Sequence, residues 1–238
     1  MTQQALKFRT ICLKNGMQMN DAELAAFSAY TDLLLEWNAK INLVSRKDTD
    51  RIWTRHLLGS ISFLFSHSLV ERTSLLDIGT GGGLPGIPIA ILYPSIRITL
   101  VDSIRKKTTA VADIVSRLHL PNVEVITSRV EDLAGGKQPP AAYDYLFARA
   151  VAPMEDLITW GKPLLAPRRS PASSPGEGRR ISLPTGSIIL LKGGDIGEEA
   201  ERARRRHQPS AIDVVPIVFD AGEAAGELVD KKMIIIRP

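Results

Sequence analysis

Between Leu75 and Pro88 the chain reads LLDIGTGGGLPGIP, with five glycines in the eight positions from Gly79 to Gly86. Glycine loses more conformational freedom on folding than any other residue. A run this dense is kept only where a side chain would obstruct a close approach. The short apolar run before it ends in Asp77 and reads as a buried strand feeding a ligand-binding turn. Such a strand and loop belong to an α/β fold in which ligands sit beyond the carboxyl ends of the strands.

The rest of the chain fits that frame. From Asn20 to Ile41 the apolar residues Leu24, Phe27, Leu34, Trp37 and Ile41 recur at helical steps, and Asn20 with Glu23 forms a capping-box signature. A second helical pattern uses Ile52, Trp53, Leu57, Ile61 and Leu64. Past residue 72 the texture changes. SLLDIG, IRITLVD, VEVITS, YDYLFARAV, SIILLKGG, AIDVVPIVF and KKMIIIRP read as strands, with helical patterns between most of them. Alternating strands and helices predict a mostly parallel, doubly wound sheet covered on both faces. The last two strands have little between them, so one is expected to lie antiparallel at the edge. The expected organisation is therefore a helical extension over 1–72 and a ligand-binding α/β domain over 73–238. The stretch 167–187, rich in Pro, Ser and Arg, is expected to be a mobile loop insertion.

Bulk properties exclude several classes. The chain has 238 residues, of which 44% are hydrophobic and 24% charged, as in an ordinary globular protein. No apolar run approaches a membrane span, and the N-terminus lacks a signal-peptide core, so a cytoplasmic setting is expected. Cys12 is the single cysteine, and His56, His67, His119 and His207 show no metal-ligand spacing, so no metal is expected. The formal charge is +4, but +3 of it lies in the 167–187 insertion, leaving global charge a poor guide to a polyanionic partner.

Two chemistries compete for the glycine loop. Gly81, Gly83 and Gly86 satisfy GxGxxG, and Asp102 follows at the distance of a ribose-binding acid, which suits an NAD(P)-dependent oxidoreductase. Against that, Asp77 stands directly before the glycines, where a pyrophosphate on a helix N-terminus is ill served by a carboxylate. A cationic ligand would welcome it. S-adenosylmethionine carries a sulfonium and an ammonium and no phosphate, and Asp77-Ile78-Gly79-Thr80-Gly81 with Asp102 at the end of strand two resembles the class I methyltransferases. A capping role for Asp77, with the glycines merely forming a tight turn, is the bland alternative.

A longer set of motifs sharpens the choice. EWNAKINLVS, RHLLGS, LLDIGTGGGLPGIPIAI, LVDSIRKK, SRVEDL and YDYLFARAV together resemble the RsmG (GidB) family, over roughly Asn20 to Pro238 without the insertion. The resemblance implies a Rossmann-like AdoMet-dependent methyltransferase acting on N7 of a guanosine in the 530 loop of bacterial 16S rRNA, with the small ribosomal subunit as partner. It also implies cofactor contacts at Gly79, Leu84, Val130, Glu131 and Arg149. Asp102 is assigned to the ribose hydroxyls on physical grounds, and Asp132 rivals Glu131 for the adenine amine. Arg55 and His56 match a family R-H-x-x-D-S helix, in which Gly59 replaces the aspartate. These two, with Lys106 and Lys192, are the leading RNA-binding candidates, ahead of Arg46, Lys47, Arg105 and Lys107. Guanine N7 has a free lone pair, so no general base is needed and no catalytic acid or base is assigned. A binding protein that has lost catalysis is a third reading. The sequence does not fix an oligomeric state, and a monomer is favoured.

Overall fold

In a computed structural model that describes residues 2–135, 142–168, 180–222 and 230–238, the chain builds one seven-stranded sheet with helices on both faces. The strands are β1 (Ser74–Ile78), β2 (Arg97–Asp102), β3 (Val123–Thr127), β4 (Tyr145–Arg149), β5 (Ser187–Gly193), β6 (Ala211–Pro216) and β7 (Lys231–Arg237). Their order is β3-β2-β1-β4-β5-β7-β6. All pairings from β3 through β5 are parallel, while β7 pairs antiparallel with both β5 and β6. The reversed strand is thus present, but it is β7 and it lies one place in from the rim. β6 forms the edge instead. The reason is burial: Met233, Ile234, Ile235 and Ile236 are apolar on both faces and need neighbours on both sides, whereas β6 carries Asp213 and Pro216 and tolerates an edge.

Period-two alternation sorts the side chains. Leu75, Leu100, Tyr145, Phe147, Ile189, Leu191, Met233 and Ile235 face one core, and Leu76, Val101, Leu146, Ala148, Ile188, Leu190, Ile234 and Ile236 face the other. The first core takes in the N-terminal helices α1 (Gln3–Lys14) and α2 (Asp21–Asn38), then α3 (Gly86–Leu92) and α4 (Arg105–Arg117). The second is covered by α5 (Val130–Gly135), α6 (Met154–Gly161) and α7 (Gly197–His207). The N-terminal helices have no core apart from the sheet. Phe8, Phe27 and Trp53 pack ring to ring at 5.1 and 5.3 Å within the cluster that holds Phe147.

Both arms of the expected capping box at Asn20 and Glu23 form, each at 2.8 Å. The helix stops at Asn38 rather than reaching Ile41, because the Asn38 side-chain oxygen accepts from the amides of Leu43 and Val44 and turns the chain. The second helical pattern is less regular than its periodicity predicts. It runs as a 3₁₀ turn (Arg46–Arg51), a π-helical stretch (Ile52–Leu58), one α turn (Gly59–Ile61) and a second 3₁₀ turn (Ser62–Phe65). The cause lies at His56, whose carbonyl oxygen accepts from Ser60 Oγ at 2.7 Å and from Arg149 Nη1 at 3.2 Å. No helix among the described residues is long and apolar enough to cross a membrane. Of the 167–187 insertion, residues 169–179 lie outside the described residues. Its exit is pinned by Arg180, which donates to the Gly16 carbonyl at 2.8 Å, and by pairing of Ile181–Ser182 with His67–Ser68.

Candidate active site

The strand order reverses between β1 and β4, both of which continue into loops at the carboxyl edge of the sheet. The glycine loop leaves β1 there. Gly79, Gly81 and Gly83 all have positive φ, and a Cβ on Gly79 would lie 2.7 Å from Val151. Val151 is brought to that spot by Ala150, a non-glycine residue at φ 55° immediately after β4. Overhead, α2 clamps the loop: Tyr30 Oη donates to the Gly82 carbonyl at 2.8 Å.

Five of the loop's amides are engaged within the protein. Thr80 N donates to the Val101 carbonyl, Gly83 N and Leu84 N to the Thr80 carbonyl, Gly81 N to Asp102 Oδ2 at 3.1 Å, and Gly86 N to Asp77 Oδ2 at 3.0 Å. In a dinucleotide fold such donors are left to face a pyrophosphate. Here two of these donors are taken by carboxylates, Gly81 N by Asp102 and Gly86 N by Asp77, which weighs against the oxidoreductase reading.

Asp77 itself departs from expectation. It is fully buried, and Oδ2 accepts from Thr80 Oγ1 at 2.7 Å as well as from Gly86 N, while Oδ1 has no partner. It braces the loop onto the start of α3 and does not line a cavity, so the argument that it receives a cationic ligand directly is corrected in favour of the bracing role. Burial pushes its pKa up to about 7, against the opposing pull of its hydrogen bonds and of Arg149. Gly86 is where the packing is tightest: an added Cβ would lie 2.9 Å from Asp77 Oδ2 and would collide with the Leu100 side chain. Gly86→Ala is accordingly expected to cost about 1–3 kcal/mol in urea melts. An unchanged midpoint would show that Leu100 can move aside.

A cavity of about 300 Å³ opens beside the loop, at the ends of β1, β2 and β4. It is lined by Gly79, Asp102, Val130 and Glu131, and on further sides by Lys107, Val151 and Trp160. Its volume is at the lower end for small-ligand sites, about 300–1,000 Å³. Asp102 is held by Gly81 N on one oxygen and Ile104 N, at 2.9 Å, on the other. A carboxylate has about four lone-pair positions, so two remain for the hydroxyls of a ribose. Glu131 lines the cavity and Asp132 is exposed outside it.

Leu84 is buried beneath the loop and is absent from the cavity wall. Lys106 is exposed on the first turn of α4 and is not brought in, whereas Lys107 is. The phase of α4 held that information, since Lys107 shares a stripe with the buried Val111 and Ile114. Trp160 gave no signal beyond an apolar position on a helix.

Arg149 faces elsewhere. Together with Asp48, Arg55, His56, Lys192, Glu199 and Lys231 it lines a second cavity of about 450 Å³, and the two cavities share Ala150. Arg149 Nη2 donates to His56 Nδ1 at 2.8 Å, and Nη1 donates to Ser60 Oγ at 3.1 Å. Neither Asp77 nor Asp144 forms an ion pair with it; Asp144 is tied to Ser74 at the opposite end of β1. Because Nδ1 accepts, the His56 proton sits on Nε2, which is 3.7 Å from Asp48 Oδ2. Burial, and then Arg149, push the His56 pKa down to about 4, so the ring is neutral. Arg55 pairs with Asp48 at 3.1 Å. Lys192 points to the α7 side, 2.6 Å from Glu199, and also donates to the Ala152 carbonyl. Of the RNA-binding candidates, Arg55, His56 and Lys192 are therefore gathered at one cavity, and Lys106 is apart from them.

Comparison with known proteins identifies the family and the fold. The sequence model of the family "rRNA small subunit methyltransferase G" matches residues 23–171. A protein of Chlorobium luteolum named Ribosomal RNA small subunit methyltransferase G is 35% identical over 213 residues, covering 87% of this chain and 80% of its own. Its namesake from Chlorobaculum tepidum is 34% identical over 232 residues, covering 95% of both chains. Among solved structures, a fibrillarin pre-rRNA processing protein of Methanococcus jannaschii superposes with a TM-score of 0.52 at 13% identity, covering 76% of this chain and 75% of that one. Cofactor-bound Rv0187 from MTB superposes with a TM-score of 0.52 at 15% identity, covering 90% and 89%. At such identities the structures establish the fold alone.

Proposed function

The chain belongs to the rRNA small subunit methyltransferase G family, and we propose that it transfers the methyl group of S-adenosylmethionine to N7 of a guanosine in the 530 loop of 16S rRNA. One observation carries the reading: the cavity beside Asp102 and the cation-rich cavity beside Arg149 meet at Ala150, so a small ligand in one and a nucleotide in the other would have their reacting atoms adjacent. A cytoplasmic, ribosome-directed enzyme is the setting this implies.

In the first cavity Asp102 offers its two open lone-pair positions to the ribose, Val130 and Glu131 border the adenine, and Gly79 leaves room for the methionine portion. Leu84 supports the loop from below. S-adenosylmethionine, when bound, supplies a sulfonium methyl: the N7–carbon bond forms as the carbon–sulfur bond breaks, and that electron pair stays on sulfur. Guanine N7 is a lone-pair nucleophile that carries no proton, so the residues here align and exclude water rather than transfer protons. Neutral His56, held by Arg149, fits that role, since a fixed ring makes a wall without drawing a proton from the base. Residues 1–72 would close the acceptor side.

The test gives the purified protein radiolabelled S-adenosylmethionine and small subunits from a strain lacking the native enzyme. Borohydride reduction and aniline cleavage then locate N7-methylguanosine. Label at a single guanosine of the 530 loop is expected. Cofactor binding with no label in that RNA would overturn the substrate assignment and keep the cofactor.

A further inference from the structure

The second cavity holds a cation that the fold leaves unmatched. Its acids are all engaged: Asp48 faces Arg55 and His56, Glu199 faces Lys192, and Asp195 Oδ1 accepts from the Gly197 amide at 2.8 Å. Lys232 is paired with Asp230 and donates to the Gly194 carbonyl. The Lys231 ammonium forms no ion pair or hydrogen bond with a described residue; its backbone carbonyl accepts from the Ile217 amide at 2.9 Å.

Strand register explains how it arrives. Lys231 opposes Gly193 across the β5–β7 ladder, and it lies on the same face as Met233 and Ile235, the face that also carries Tyr145, Phe147 and Arg149. Gly193 provides the opening, because a Cβ there would stand only 3.3 Å from Lys231 Nζ. The half-buried ammonium thus lies across a bare glycine and into the cavity. Burial pushes its pKa below the ordinary lysine value, and Arg149 and Arg55 push it further the same way, against a weaker pull from Asp230, which is itself paired with Lys232. Like charges gathered in a concave, partly dry site raise the energy of the empty protein and attract an anion.

We propose that Lys231, with Arg55 beside it, holds a backbone phosphate of the RNA substrate and so sets the acceptor nucleotide against Ala150. The proposal rests on the reading of the protein as an RNA methyltransferase, and it adds a phosphate subsite at a residue that no sequence motif singled out. A phosphodiester suits the site better than the carboxylate of the cofactor because Lys231 borders the second cavity and is absent from the wall of the first.

Lys231→Met keeps the length of the side chain and removes only the charge. Three measurements follow: the urea midpoint, the S-adenosylmethionine Kd by calorimetry, and the Kd for a fluorescein-labelled single-stranded RNA across a salt series. Relief of repulsion predicts an unchanged or raised midpoint, and a cofactor Kd within about twofold of wild type. RNA affinity is expected to fall about tenfold, and the slope of log K against log salt to flatten by about 0.7, the value for one single-strand phosphate contact. Lys231→Arg should restore both. Unchanged RNA affinity and slope, or a wild type that binds no RNA, would overturn the proposal. So would a loss confined to the cofactor Kd, which would give the anion site to the cofactor's carboxylate. RNA binding requires no methyl transfer, so Lys231-dependent binding with no label in the 530 loop would overturn the choice of substrate and leave this subsite standing.

Discussion

Arg149→Ala is expected to lower methyl transfer at least about a hundredfold, close to 2.7 kcal/mol of lost transition-state stabilisation. It is also expected to lower folding stability by about 2 kcal/mol, the scale for losing hydrogen bonds from a charged donor and leaving buried acceptors unpaired. The two losses share one origin. The guanidinium joins β4 to the irregular 46–65 segment, donating to His56 Nδ1, the His56 carbonyl and Ser60 Oγ. Without it, the His56 carbonyl keeps Ser60 Oγ and the Gly59 amide, Nδ1 loses its donor, and the positive potential over Asp77 and Tyr30 disappears. Lysine cannot stand in, because a single ammonium cannot span the same three acceptors as a planar fork. A third readout separates local from global damage. Arg149 is the second-largest influence holding the His56 pKa at about 4, so the imidazole of the variant, followed by NMR below its melting temperature, should titrate closer to its ordinary 6.5. A variant that folds, transfers methyl normally and leaves His56 at about 4 would refute the assignment.

All seven strands stand where SLLDIG, IRITLVD and the others place them. The inner ones were legible because burial on both faces leaves continuous apolar runs, the edge strands β3 and β6 by their β-branched residues. The position of β7 was not legible, since pairing partners depend on which strand needs two neighbours, and that is decided by the assembled sheet. Local capping was equally readable: Asn20 and Glu23 lie three residues apart and answer to each other alone. The helix through His56 was misjudged for the opposite reason. Its π-helical stretch is imposed by Arg149, 93 residues away, and no window of local sequence contains both groups. The same limit governs the site. Gly79 and Asp102 announce themselves through spacing within one strand–loop–helix unit. Arg149 was legible as a charge at a strand end, but its orientation toward the second cavity depends on His56 and Ser60. Lys231 was invisible, because its meaning comes from Gly193 on a neighbouring strand and from three acids that are already taken. Asp77 shows that a correctly located residue can have a different task. The spacing that made it a candidate for a cationic ligand is also the spacing that lets it reach Thr80 and Gly86.

That task gives Asp77 a measurable pH signature. Its carboxyl is buried, Oδ1 has no partner, and burial holds its pKa at about 7 in place of 3.8. The folded state therefore retains the proton after the unfolded chain has released it. Its contribution to stability is fully present below about pH 4 and is lost as pH rises through about 7, a change of about 4 kcal/mol at about 1.36 kcal/mol per pKa unit. His56 works in the other direction. Its folded pKa is depressed, so its contribution is present above 6.5 and is lost as pH falls toward about 4. His67, also pushed down by burial, adds to that second effect. The two slopes oppose each other across the same window, and the wild type should show a shallow profile between pH 4 and 7. Asp77→Asn removes one of them while keeping an acceptor oxygen for Thr80 and Gly86. Urea melts of the cofactor-free protein should then show a variant that is less stable than wild type at pH 4.5, where the extra amide hydrogen has no acceptor. The gap should close or reverse by pH 8, with stability now rising through the window as the histidines alone dictate. Parallel profiles for the two proteins would mean that Asp77 is ionised throughout, which would require a cation closer to Oδ1 than Arg149 is.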